Sequence, residues 1–438
     1  MDQTEALIIE TIDRHREEIL EFARDIYSHA ELGYKEFQTS EKFVKKMEQL
    51  GLRTEKRFAI TGVKSYLNED KKENASLALL GELDALRIPE HAFANPETNA
   101  AHCCGHHAQM AGVFGAALAL TVPEIAEKLD GQVVFFATPA EEYGEIEFKN
   151  QLREQGKIRY GGGKCELLRI GAFDDIDLCL THHIRPGNEI LVGSGTGNGF
   201  VSKVIRVLGK ASHAAGAPEK GVNALSAASL GLQALGLNRE TFRDEDCVRV
   251  HPIITKGGNL VNVIPDEVVM ETLVRGKTIE AFTDAAKKTD RSFKAGAVAM
   301  GAKVEISTLP GYLPTLAEEA LPELKHAAEI SASGIPVIEA SGHAGGSTDV
   351  GDVQHLMPVY TFNTGGVKGG LHQIDFEVTD EEEAYIVTAK MFALAAYGLL
   401  KEKAQRSREL VDQYEPVFKN SAEYVEFMEQ FDSKEIFE

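Results

Sequence analysis

Four continuous apolar runs, each closing on acids or imidazoles, constrain this chain more than any other feature. Leu77-Ala78-Leu79-Leu80-Gly81-Glu82-Leu83-Asp84 ends in two carboxylates, and Gln132 through Thr138 runs into Pro139-Ala140-Glu141-Glu142. Ile176 through Thr181 runs into His182-His183, and Pro358 through Asn363 is followed by Gly365-Gly366 and then His372. Strands apolar on both faces, alternating with helical spacings, predict an α/β fold whose mostly parallel sheet is sandwiched by helices. In such sheets ligands bind beyond the carboxyl ends of the strands, where these acids and imidazoles fall.

The stretch Ala101-His102-Cys103-Cys104-Gly105-His106-His107 adds three imidazoles and two thiols immediately before an Ala-rich helix. Thiolate and imidazole suit zinc, and carboxylates admit manganese or cobalt. The same residues also fit a plainer reading, buried thiols beside satisfied histidines or a disulfide between neighbours. Convergence of the other strand ends favours a metal. Taken together, Cys104, His106, Glu142, His183 and His372 exceed one tetrahedral shell but suit two divalent ions sharing a bridge. Glu141, beside a ligand on the same loop, is the candidate general base, and Asp84 is the carboxylate that orients an imidazole. This set serves hydrolysis of amides, peptides or esters and has no feature for hydride or phosphoryl transfer.

Texture changes between residues 197 and 310. An alternating strand over 201–208, a helix over 223–237, strands over 248–254 and 268–274, and a helix over 279–300 predict a separate α+β module. It enters through the Gly-rich stretch 193–199, which lacks the spacing of a phosphate loop. The expected organisation is a discontinuous metal-binding catalytic domain (1–196 and 311–400), an inserted lid and dimerisation domain (197–310), and a helical C-terminal extension (401–438). The catalytic domain opens with one amphipathic helix over 4–28 and a second over 39–50.

Composition narrows the class. In 438 residues, 46 basic against 68 acidic side chains give a net charge of -22, which argues against nucleic acid or an anionic membrane as partner. No apolar run approaches the roughly 18 residues of a spanning helix, and the N-terminus lacks signal-peptide character. Five cysteines without framework spacing fit a reducing cytoplasm.

The blocks named so far resemble, in order, a known family. With them go His29-Ala30-Glu31-Leu32-Gly33, Gly209-Lys210-Ala211-Ser212-His213, Gly257 through Asp266, Gly346-Ser347-Thr348-Asp349-Val350-Gly351 and Gly370-Leu371-His372. The chain resembles the zinc- or manganese-dependent peptidases and amidohydrolases that include carboxypeptidase G, the aminoacylases, auxin-conjugate hydrolases and aminobenzoyl-glutamate hydrolases. The Cys-Gly-His variant and the Ser-Thr-Asp-Val-Gly block point to the subgroup that holds aminobenzoyl-glutamate and dipeptide-cleaving amidohydrolases. The resemblance implies a dinuclear site with Cys104 as bridge, Glu141 as base, and a homodimer through the inserted domain, with tetramers left open. It also implies that His213 reaches the oxyanion from the other subunit and that Asn262 and Arg275 hold the substrate. For Arg275 an ordinary strand-end cation is an equal reading. His183, rather than His182, matches the family's spacing.

Two residues depart from that pattern: His107 stands where Asp or Asn is usual, and Gln109 where some relatives have His. His107 is therefore expected beside the shell, as a sixth ligand, a group that supports the ligands, a sign of altered metal preference, or a substrate contact. The expected function is hydrolysis of a small N-acyl amino acid or dipeptide. The alternative is a catalytically silent, metal-binding relative that serves as a binding or scaffold protein.

Overall fold

The computed structural model describes every residue except position 333, and the chain divides into two compact units. The first comprises Met1–Gly195, Leu316–Gly342 and Asp352–Ser421; the second comprises Thr196–Thr315, His343–Gly351 and Ala422–Glu438.

An eight-stranded sheet organises the first unit. Its order is Arg53–Phe58, Gly62–Leu67, Gln132–Thr138, Ser76–Glu82, Leu178–Ile184, Val359–Thr364, Ile190–Val192 and Val337–Glu339. The four central strands are the four apolar runs, mutually parallel, and the strand next to them on each side, Gly62–Leu67 and Ile190–Val192, runs antiparallel to them. Ser76–Glu82 and Gln132–Thr138 are buried along their whole length, which is why they read as continuous apolar runs. Against Ser76–Glu82 packs the His106–Leu120 helix, buried on every side as its uncharged sequence requires. Helices Arg16–Ser28 and Thr388–Gln413 pack against that helix in turn. The latter is apolar and long enough by composition to cross a membrane, yet most of its apolar length is core.

The second unit is an antiparallel sheet ordered Arg249–Val250, Glu267–Gly276, Gly199–Leu208, Lys303–Tyr312 and Ser433–Phe437. Ile253–Lys256 also pairs with Glu267–Gly276. Every second residue of Glu267–Gly276 is buried, the alternation of a sheet with one covered face. Helices Ala224–Asn238 and Ile279–Met300 supply the cover, contributing Ala228, Leu235, Phe282 and Phe293 to its core.

Several expectations require correction. The opening helix is two, Gln3–Arg14 and Arg16–Ser28, because His15 leaves helical geometry at φ -95° and ψ 14°. The strand expected over 248–254 is split at His251-Pro252, since proline has no N–H for a ladder bond. Residues 343–351 belong to the second unit, not to an unbroken 311–400 segment. His343–Ala344 pairs with Thr196–Gly197, and Asn198 N donates to Gly346 O at 2.9 Å. The C-terminal extension is not wholly helical either. The Thr388–Gln413 helix is interrupted at 401–404, the Ser421–Glu429 helix follows, and Ser433–Phe437 is a strand beside Lys303–Tyr312. An open sheet edge offers unpaired N–H and C=O groups, and Phe437 gains a place against the second core.

Candidate metal centre

The carboxyl ends of four parallel strands, with the turn that starts one helix, bring together the seven residues expected around the metals. Ser76–Glu82 leads to Asp84, Gln132–Thr138 to Glu141 and Glu142, and Leu178–Ile184 carries His183. Cys104 and His106 come from the turn that starts the His106–Leu120 helix, and His372 from the loop after Val359–Thr364. Gly105 makes that turn possible: its φ is +86°, and a Cβ there would stand 1.9 Å from Ile184 Cγ2. His372 also adopts a left-handed conformation, at φ +62°, anchored where its N–H donates to Cys103 O at 2.9 Å. Strain of this kind in a non-glycine residue concentrates at functional sites.

Cys104 Sγ lies 3.3 Å from His183 Nε2 and 3.2 Å from His372 Nε2, and His372 Nε2 lies 3.1 Å from Glu142 Oε1. Donor atoms of Cys104, His106 and His183 fall within 4.8 Å of one another, and so do those of Cys104, Glu142 and His372. Two three-donor groups therefore share one sulfur. Glu141 Oε2 is 4.0 Å from His106 Nε2. Asp84 holds the rest in place: His106 Nδ1 is 2.9 Å from its carbonyl oxygen, and its carboxylate accepts the N–H groups of Glu141 and Glu142 at 3.1 and 2.9 Å.

The electrostatics suit a cation. Burial, with the Glu142 carboxylate beside it, pushes the Cys104 thiol well above its ordinary value, so a thiolate here needs positive charge nearby. Burial opposes charge on His106, but Glu82, Cys104 and Asp84 outweigh it and hold the imidazole well above its usual range. For Glu142, burial is outweighed by His372, and the carboxyl falls below its ordinary value. With His106 Nδ1 donating to the Asp84 carbonyl, Nε2 is the nitrogen that faces the Glu82 and Glu141 carboxylates, where a cation can replace its proton. A divalent ion satisfies that arrangement.

Strand alternation separates the two neighbouring histidines. His182 is buried and bonds Thr364 Oγ1 at 2.8 Å, while His183 faces Cys104. His107 is not beside the shell, contrary to expectation. One helical residue turns it about 100° from His106, and it lies buried between Tyr27 and Tyr385, with Nε2 3.2 Å from the Tyr385 hydroxyl. His213, Asn262 and Arg275 belong to the second unit. His213 and Asn262 are exposed there; Gly216 N donates to His213 Nδ1 at 2.9 Å, so Nε2 carries the proton outward. Arg275 Nη1 donates to Ser347 Oγ at 2.7 Å.

Sequence reasoning missed a buried polar group behind the centre. Glu82 Oε2 is 3.2 Å from His106 Nε2, and Lys164 Nζ is 2.5 Å from Glu82 Oε1, both side chains being inaccessible to solvent. Although burial raises a carboxyl, Lys164 and His106 pull Glu82 down to about 2. Gln109, read only as a departure, donates to Glu82 Oε2 at 2.8 Å and to His182 O at 2.6 Å, tying two strands together. Glu82 was legible in the Gly81-Glu82-Leu83-Asp84 block; Lys164 carried no signal of its own.

Comparison with known proteins gives a consistent picture. Residues 78–397 match the model of the peptidase family M20/M25/M40. A Xaa-Arg dipeptidase of Mus musculus is 28% identical over 311 residues, 69% of this chain but only 64% of the mouse protein. An N-acetylcysteine deacetylase of Bacillus subtilis is 26% identical over 403 residues, 87% of this chain and 97% of its own. The fold is that of a dinuclear metal-binding peptidase of B. subtilis, with a TM-score of 0.62 at 24% identity over 89% of this chain and 99% of that one. The chain belongs to peptidase family M20/M25/M40.

Proposed function

We propose that this protein is a two-metal amidohydrolase that cleaves the amide bond of a small N-acyl amino acid or dipeptide. The observation that carries the reading is the pair of three-donor groups meeting at Cys104, with Glu141 beside them. Cys104 would bridge two divalent ions (zinc, manganese or cobalt), with His106, His183, Glu142 and His372 completing the shells. Two ions so held supply Lewis acidity toward a carbonyl and lower the pKa of water. Glu141 would take a proton from the attacking water as its oxygen bonds to the carbonyl carbon, and pass that proton to the departing nitrogen as the C–N bond breaks, giving a carboxylic acid and an amine that ionise to carboxylate and ammonium. Asp84 fixes the His106 ring and the backbone on which Glu141 sits.

The second unit contributes the remaining parts of this reading. His213, whose Nε2–H points outward, stabilises the oxyanion from the partner in a homodimer, and Asn262 and Arg275 hold the substrate. Support for self-association comes from the exposed, apolar Ile253, Ile254, Leu260 and Val261 along one margin of this unit. A cytoplasmic location accords with five free cysteines.

The test combines metal analysis with turnover of a panel of acyl-amino acids and dipeptides. Native protein should carry about two ions per chain and Cys104→Ser fewer, while Glu141→Gln keeps its metal and loses about 10²–10⁴-fold in kcat. Undiminished turnover by Glu141→Gln, or no metal uptake at all, would refute the assignment.

A further inference from the structure

Residue Ala140 lies between the strand Gln132–Thr138 and the two acids of the centre, and it is left-handed at φ +48°. A side chain with a Cβ resists that conformation, so surrounding contacts must impose it. They do so from both sides of the peptide. The Ala140 N–H donates to Glu36 Oε1 at 2.8 Å, and the Ala140 carbonyl accepts from Gly163 N at 2.9 Å. Position 163 has no room for a larger residue: a Cβ there would stand 1.6 Å from Pro139 O. Glu36 is wholly buried and held in its turn by the Thr61 hydroxyl, which donates to Oε2 at 2.8 Å. The next two N–H groups, of Glu141 and Glu142, go to Asp84. Three successive amides are thus taken by two buried carboxylates from other segments, and the bend at the first sets the direction in which the following side chains leave the chain.

We infer that Glu36 is a positioning residue: by accepting the Ala140 N–H it holds the left-handed bend that aims Glu141 and Glu142 into the metal centre. This rests on the roles given above to those two acids. Without the acceptor, Ala140 relaxes toward ordinary backbone angles, and the carboxylates swing even though every ligand is still present. Only the hydrogen-bond acceptor is needed for this, so an amide of the same length suffices.

The test compares Glu36→Ala, Glu36→Gln and the native protein after loading with cobalt(II), whose visible absorption reports the geometry of its ligands. Glu36→Gln should keep the native cobalt spectrum and a kcat within about threefold, whereas Glu36→Ala should shift the spectrum and lower kcat about 10- to 100-fold with KM little changed. Adding Ala140→Gly to Glu36→Ala should restore part of the spectrum, since glycine takes the bend without a Cβ penalty. If Glu36→Ala does not fold, Glu36→Asp, which keeps the polar head but falls short of Ala140, should show the same spectral shift. A native cobalt spectrum in the alanine or aspartate variant overturns the inference, and so does a glutamine variant as damaged as the alanine one. The spectral comparison needs no turnover. Failure of the native protein to hydrolyse any acyl-amino acid would therefore defeat the proposed activity while leaving this comparison decisive.

Discussion

Lys164 and Glu82 form a buried ion pair in reach of His106, and removing Lys164 takes from the buried Glu82 carboxylate the strongest of its positive neighbours. Lys164→Met should lower stability by about 3–5 kcal/mol in urea unfolding, and pairing it with Glu82→Gln should recover most of that loss. A single variant as stable as the native chain would show that the pair is not buried in solution. At this scale the sequence was legible wherever a side chain is a candidate metal donor, because soft and borderline donors are scarce and their clustering is visible. It was mute about what holds those donors. Lys164 comes from a distant segment, and Glu36 is one acid among 68. Their meaning arises only from where the folded chain carries them. His107 shows the converse error: proximity in sequence to His106 suggested shared work, and the helix turned the two apart.

Among elements, the Ser433–Phe437 strand has the clearest testable role. It covers the outer margin of Lys303–Tyr312, pairing Val304 with Phe437 and Thr308 with Ser433. Deleting residues 433–438 would leave that margin unpaired, with a full row of donors and acceptors open to another chain. The truncated protein should have a larger mass than the native protein in light scattering, while its metal content stays native; an unchanged mass would mean that the edge is protected otherwise. The central strands were readable because burial on both faces leaves an unbroken apolar run. This edge strand was not, since four of its five residues are exposed and its charged Lys434 and Glu435 continue the texture of the preceding helical stretch. The split at His251-Pro252 was visible in principle through the missing proline N–H.

For the molecule as a whole, a distant carboxyl makes stability depend on pH. Burial pushes Glu318, which accepts from Thr361 N, up to about 8 from an ordinary 4.5. Between those values the folded chain keeps a proton that the unfolded chain releases, so stability is greatest below the lower value and falls as pH rises through the window. The loss should amount to about 3–5 kcal/mol by pH 8, and Glu318→Gln should flatten the slope. An identical slope in the variant would clear Glu318 of responsibility.

The second unit's sheet has a consequence in time. Its strand Lys303–Tyr312 leaves the ribosome more than a hundred residues before its neighbour Ser433–Phe437. At usual translation speeds that interval lasts roughly 6–25 s, far longer than a hairpin takes to close. During it the nascent chain gains His372, the last of its candidate metal donors, while it exposes a naked β margin. Growing polysomes of this protein are therefore where a chaperone with an affinity for unpaired strands would find it, and release would coincide with arrival of the final strand.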